Sequence, residues 1–265
     1  MTGIRVPTDR PGAGPYPRLV LLDPDAENDV AYELCQIVGR AILPYRSSDA
    51  TDQRFGTAFF FQGTDDPVGE SLLTAVDLVG SPGGELGLRS SVTEPAGVAP
   101  DAVTETDIRP GWGRFPGDGV AVLPTSGLHR YAGDGGWRWR VQPVPAGIAA
   151  GPEVVAGLGA DASSAFVLAH GLREDGSRPL EVAIERVVRD GDDVRITTEL
   201  PPGYVGAPVF VVGADTAGDV SLYCLGLVLP GVGGHPVATF DRIRAVLSST
   251  PGDDSRRDTG TASAG

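Results

Sequence analysis

The chain has 265 residues, 41% of them hydrophobic, enough to fill one large all-β domain or two small ones. Its formal charge of -14 argues against nucleic acid and anionic membranes as partners, because both reward clustered cations and the 21 basic residues are scattered arginines. Gly 38 and Pro 23 suit many short strands joined by tight turns.

Residues 1–24 carry Pro7, Pro11, Pro15, Pro17 and Pro24 with little apolar periodicity and read as an extended arm. The opening residues lack the basic region and apolar run of a signal peptide, and no apolar stretch approaches the roughly 20 residues of a membrane span, so a cytoplasmic location is expected. Behind Asp25 as a cap, Val30, Leu34 and Ile37 recur at helical spacing and predict a short amphipathic helix over 27–37. The period then changes: 41–43, 56–61, 71–76 and 120–123 read as strands, with 63–69 as a turn. Gly135, Gly136, Trp137, Arg138 and Trp139 suggest a hairpin, and a domain junction is expected between His129 and Pro145. Strands are expected over 153–158, 165–169, 180–188, 193–198, 208–212 and 222–229, with a turn at Asp190-Gly191-Asp192. Ile243, Val246 and Leu247 share one face of a closing helix over 240–247, followed by a disordered tail. Cys35 and Cys224 stand alone, without ligand spacing, and are expected to be buried free thiols; no metal or cofactor is implied.

Six strings in order are similar to motifs of the trypsin-like (chymotrypsin-fold) serine peptidase family. Gly56-Thr57-Ala58-Phe59-Phe60-Phe61 resembles the strand that opens the family's first barrel, and Leu72-Leu73-Thr74-Ala75-Val76-Asp77 resembles the string that carries the catalytic histidine. Gly119-Val120-Ala121-Val122-Leu123 resembles the catalytic-aspartate string, with Asp118 one residue out of register, and Gly203-Tyr204-Val205-Gly206-Ala207-Pro208-Val209 resembles the nucleophile loop. Gly226 to Gly231 resembles the strand lining the substrate groove, and Pro236 to Phe240 the segment before the C-terminal helix. The resemblance spans roughly residues 35–248. It implies an all-β fold of two antiparallel Greek-key β-barrels packed face to face, with a short N-terminal helix and a C-terminal helix. The matching division is an arm over 1–24, a helix and first barrel over 25–135, a second barrel and C-terminal helix over 136–248, and a tail over 249–265.

The same alignment puts Asp77, Gly119 and Val205 at the histidine, aspartate and serine positions, a degenerate triad. Acyl transfer by this fold needs an oxygen nucleophile, an imidazole and an orienting carboxylate, and these positions supply none in its place. The resemblance also assigns the oxyanion-like backbone to Gly203 and Val205, and a peptide-binding edge to Leu229, Pro230 and Gly231. It places Glu199 where basic-specific members keep an acid at the pocket floor, and Tyr204 where the zymogen-control aspartate stands. His129, His170 and His235 read as surface or structurally bonded histidines. The expected function is a pseudoprotease that binds a polypeptide partner. An active serine-type endopeptidase with a rearranged site, and a structural subunit of a larger bacterial assembly, stay open beside it.

Overall fold

The computed structural model describes residues 18–47, 53–63, 69–79, 83–109, 111–159, 161–214 and 220–249. The expected tail beyond Ser249, most of the arm and the centre of the 63–69 turn lie outside the described residues. The chain enters as strand β1 (Arg18–Leu19) and helix α1 (Pro24–Val38). It continues through β2 (Ile42–Arg46), β3 (Phe55–Gln62), β4 (Glu70–Ala75), β5 (Glu85–Gly87), β6 (Thr93–Glu94), β7 (Ala102–Thr104), β8 (Gly113–Phe115) and β9 (Val120–Pro124). Helix α2 (Ser126–Asp134), β10 (Arg138–Trp139), β11 (Val144–Pro145) and α3 (Pro152–Gly157) lead into β12 (Ser163–His170), β13 (Leu180–Asp190) and β14 (Asp193–Ile196). The last elements are β15 (Pro208–Ala214), β16 (Val220–Val228), β17 (His235–Thr239) and α4 (Phe240–Ser249).

Strands β12, β13, β14, β17, β16 and β15 pair in that order, and β15 pairs again with β12, so the second barrel closes with six antiparallel strands. Closure leaves no open edge within the ring. The first barrel is an open sheet in the order β7-β5-β2-β3-β4-β9-β8, with β11 beside β3 in parallel. The fold is thus the expected two-barrel architecture with N-terminal and C-terminal helices.

The period of two survives in β12 although all eight of its residues are buried. Ala165, Val167 and Ala169 join the second barrel's own core, while Phe166 and Leu168 join the larger cluster shared with the first barrel. β15 divides likewise, with Val209 and Val211 inward and Phe210 and Val212 toward the first barrel. A strand with both faces covered has no place for alternating polar residues, and the barrels adhere through the second apolar face.

The N-terminal helix begins earlier than expected. Asp23, not Asp25, is the cap: its Oδ1 accepts from the N–H groups of Asp25 and Ala26 at 3.1 and 3.0 Å, and Pro24 takes the first turn where a missing N–H costs nothing. Its buried stripe is Glu27, Val30, Leu34 and Val38. The Glu27 carboxylate accepts from Ser164 Oγ and Arg186 Nη1, both at 2.6 Å, which pins α1 to β12 and β13. At the other end Phe240 stacks on Phe61 with ring centroids 4.7 Å apart, and Arg244 donates to the carbonyls of Ala149 and Ala150 at 2.7 Å. Helix α4 therefore ties back to the first barrel.

Two expectations are corrected between the barrels. Residues 153–158 are not a strand: Pro152 at the first helical position opens α3, and Val154 and Val155 are buried from one helical face. Gly135 and Gly136 do not turn a hairpin either. They end α2, and Arg138–Trp139 pairs with Thr93–Glu94 instead. Within the segment from His129 to Pro145, β11 joins β3 of the first barrel, while β10 forms a separate two-stranded sheet with β6. Cys35 is half-buried and Cys224 fully buried, both as free thiols, and burial pushes both up. Among the described residues no helix is long and apolar enough to cross a membrane.

Candidate functional site

The loop after β14 turns on two glycines in the left-handed region, Gly203 at φ +100° and Gly206 at φ +82°. Between them Tyr204 is only 3% exposed and joins the second barrel's core. Burial, and after it the Glu181 carboxylate, push its phenol up to about 12. Apolar anchoring thus holds the residue that precedes Val205.

Thr57 of β3 clamps this loop from the first barrel. Its N–H donates to the Val205 carbonyl at 2.8 Å, and its hydroxyl donates to the Gly203 carbonyl at 2.8 Å while accepting from the His170 N–H at 3.2 Å. On the other side the Gly206 N–H donates to Val228 at 2.8 Å. A Cβ on Gly206 would lie 2.3 Å from the Thr57 carbonyl and 2.4 Å from Thr74 Oγ1, so only glycine fits there. The N–H groups of Gly203 and Val205 have no hydrogen-bond partner among the described residues. The Val205 side chain is half-buried against the shared apolar cluster. Thr57 carried no site assignment in the sequence, because a threonine in a strand has no motif of its own.

Asp77 lies in a 3-10 turn over Val76–Val79 directly after β4, with its side chain exposed and its carbonyl accepting from Arg54 at 2.6 Å. The neighbouring Val76 N–H donates to Gly119 at 2.9 Å. Leu78 packs under Gly56, which also lies against the Val205 carbonyl. The Asp77, Gly119 and Val205 strings therefore meet around Gly56 and Thr57. Where a side chain at 119 would begin, the Leu229 methyl carbons stand 2.8 and 2.9 Å away. Asp118 is half-buried.

At the expected peptide edge, the Leu229 N–H donates to Pro236 at 2.8 Å and its carbonyl accepts from His235 Nδ1 at 3.0 Å. Pro230 is exposed and has no N–H, and a Cβ on Gly231 would meet the Gly234 carbonyl at 2.1 Å. Glu199 is exposed, just ahead of the loop. His129 pairs with Glu70 at 2.9 Å on the surface. His170 is 3% exposed, with Nδ1 donating to the Arg178 carbonyl at 2.8 Å and Nε2 accepting from Arg89. Burial, then the Arg89 charge, push it down to about 4, so the ring is neutral at pH 7.

The hydroxyls of Thr57 and Thr74, which lie against the loop, both donate to backbone carbonyls. Among the described residues no group of three or more His, Cys, Asp or Glu could hold a metal ion.

No protein-family model matches the chain, and no curated protein matches its sequence. Similarity appears among solved structures. The serine endoprotease from Yersinia pestis superposes with a TM-score of 0.50 at 8% identity, over 82% of this chain and 65% of that one, less than two thirds of its length. A human pathogenic astrovirus serine protease gives 0.41 at 14% identity over 76% and 90%, and the tobacco vein mottling virus protease 0.42 at 11% over 81% and 84%. Together with the closed six-stranded barrel and the half-barrel packed on it, the bacterial match gives this chain a trypsin-like, two-barrel serine-protease fold.

Proposed function

We propose that this protein is a non-hydrolytic homologue of the trypsin-like serine proteases that binds an extended polypeptide. The observation that carries the reading is Val205, an aliphatic side chain in a glycine-framed loop clamped between Thr57 and Val228. Valine has no lone pair with which to attack a carbonyl. Asp77, where the family keeps its imidazole, is a carboxylate, which has far less driving force than an imidazole to deprotonate a hydroxyl. Loss of the triad leaves roughly 10³ to 10⁴-fold catalysis, far below a working protease.

What the loop retains suits binding. The unpartnered N–H groups of Gly203 and Val205 can hold a carbonyl or a terminal carboxylate, and an extended segment can pair alongside by main-chain hydrogen bonds. With the Leu229 main chain engaged in its own hairpin, the contact edge narrows to Pro230 and Gly231. The charge of -14 favours neutral or basic segments.

The test is a titration of ¹⁵N-labelled protein with pools of extended peptides bearing free C-termini, with mass spectrometry of the same samples. The reading expects amide shifts concentrated at Gly203 and Val205, intact peptides, and no fluorophosphonate labelling. Stoichiometric labelling at one hydroxyl, blocked by a serine inhibitor, would establish an active peptidase with a rearranged site instead.

A further inference from the structure

Away from the Val205 loop's outer face, a cavity of about 550 Å³ opens between the end of α1, the segment after β5 and the β12–β13 connection. Arg40, Arg89 and Arg178 line it together with Ser91, His170 and Gln36, and no carboxylate is among the lining residues. That is unexpected in a chain with 35 acidic residues. Four arginines elsewhere pair with acids: Arg46 with Glu85, Arg138 with Glu94, Arg173 with Glu181 and Arg186 with Glu27.

Among the described residues the cavity arginines bond only to neutral acceptors. Arg89 donates to Ser91 Oγ at 2.9 Å, to the Gly39 carbonyl and to His170 Nε2. Arg178 donates to the carbonyls of Tyr45, Gly56 and His170 at 2.9, 2.6 and 2.9 Å, and its Nε–H is buried without a partner. A guanidinium has five N–H groups, so each of these two keeps donors free. Among the described residues Arg40 bonds to Gln142 alone, at 3.1 Å. Burial pushes Arg178 down to about 10 and also lowers Arg89, as expected of cations taken out of water without a counter-ion.

We propose that this cavity binds a small molecule through a phosphate-type dianion held by Arg89 and Arg178, with Arg40 at the rim. Two half-buried charges with no carboxylate beside them call for a ligand of charge near -2. A phosphate monoester carries about -1.5 to -2 at pH 7 and offers three acceptor oxygens, whereas a carboxylate would balance only one arginine. Ser91 and Gln36 add polar contacts, and Cys35, Pro179 and Leu180 form the apolar wall for the organic part. The volume lies within the ~300–1,000 Å³ typical of small-molecule sites. The site does not depend on what the Val205 loop binds.

The test is calorimetry and thermal shift on the full chain with inorganic phosphate and phenyl phosphate, against benzoate and against chloride at matched ionic strength. Both phosphates should bind and raise Tm, and benzoate should bind at least about tenfold more weakly. Equal affinity for the two phosphates identifies free phosphate as the ligand, and tighter phenyl phosphate identifies an organic ester. Arg89→Gln should abolish binding. If that variant does not fold, Arg40→Gln decides, because Arg40 bonds only to Gln142 and its loss should weaken phosphate at least about fivefold with Tm of the free protein unchanged. Phosphate responses no larger than those of chloride or benzoate, or wild-type affinity in both variants, would overturn the site.

Discussion

Leu229 fills the space in which a side chain at Gly119 would begin: its two terminal carbons stand 2.8 and 2.9 Å from that point. Gly119 also turns at φ +71°, where L side chains are strained. Gly119→Asp should therefore cost about 2 kcal/mol of stability in chemical denaturation. Leu229→Ala in the same chain should return about 1 kcal/mol of that cost as coupling between the two sites. Strictly additive single and double variants would mean that the leucine is not what excludes the carboxylate.

Thr57 sews the first barrel to the Val205 loop through one hydroxyl with two partners, the Gly203 carbonyl and the His170 N–H. Thr57→Val preserves shape but strands both backbone groups in a buried place, so it should destabilise by about 2 kcal/mol. Thr57→Ser keeps the hydroxyl and should cost less than half as much. Urea unfolding of the two variants side by side makes the comparison, and equal losses would assign the effect to packing.

Gly206 has both a positive φ and contacts of 2.3 and 2.4 Å waiting for any added carbon. Gly206→Ala should lose about 3 kcal/mol or more, since neither the Thr57 backbone nor the bonded Thr74 can withdraw cheaply. A midpoint within experimental error of wild type would show that the loop can relax away from Thr57.

His170 makes stability depend on pH. Its folded value, about 4, lies below the ordinary 6.5, so the unfolded chain binds the extra proton first as pH falls. The contribution is fully present above about pH 6.5 and is lost progressively toward pH 4, about 3 kcal/mol in all. In His170→Asn the slope of unfolding free energy against pH should be shallower by about one proton across that window. An unchanged slope would place the proton uptake elsewhere.

Much of the fold was legible because strands write their period into the sequence. The runs at 56–61, 71–76, 120–123, 180–188 and 208–212 appear as β3, β4, β9, β13 and β15, within a few residues at each end. Misreadings fell where short helices carry apolar runs. Val154 and Val155 look like strand residues until Gly151-Pro152-Glu153 is recognised as a helix start, and Leu128 and Ala132 are spaced for a helix within the glycine-rich segment that became α2.

At the site, the glycines and the aliphatic side chain at 205 could be read in advance, because a left-handed turn demands glycine and valine is a residue type without a hydroxyl. Leu229 over Gly119, Thr57 beneath the loop and Glu27 between Ser164 and Arg186 could not. Each joins residues more than 100 positions apart, and no local pattern records such a pairing. The arginine cavity is the extreme case. Arg40, Arg89 and Arg178 are three ordinary basic residues in an acidic chain until the packing of α1 and the two barrels gathers them around one space. By itself the sequence determined where most of the strands run, where the chain turns and which residue types stand at the loop, since these depend on local sterics and residue type. Only the tertiary structure decided which distant groups lose their water together, because desolvation depends on three-dimensional neighbours rather than on order along the chain.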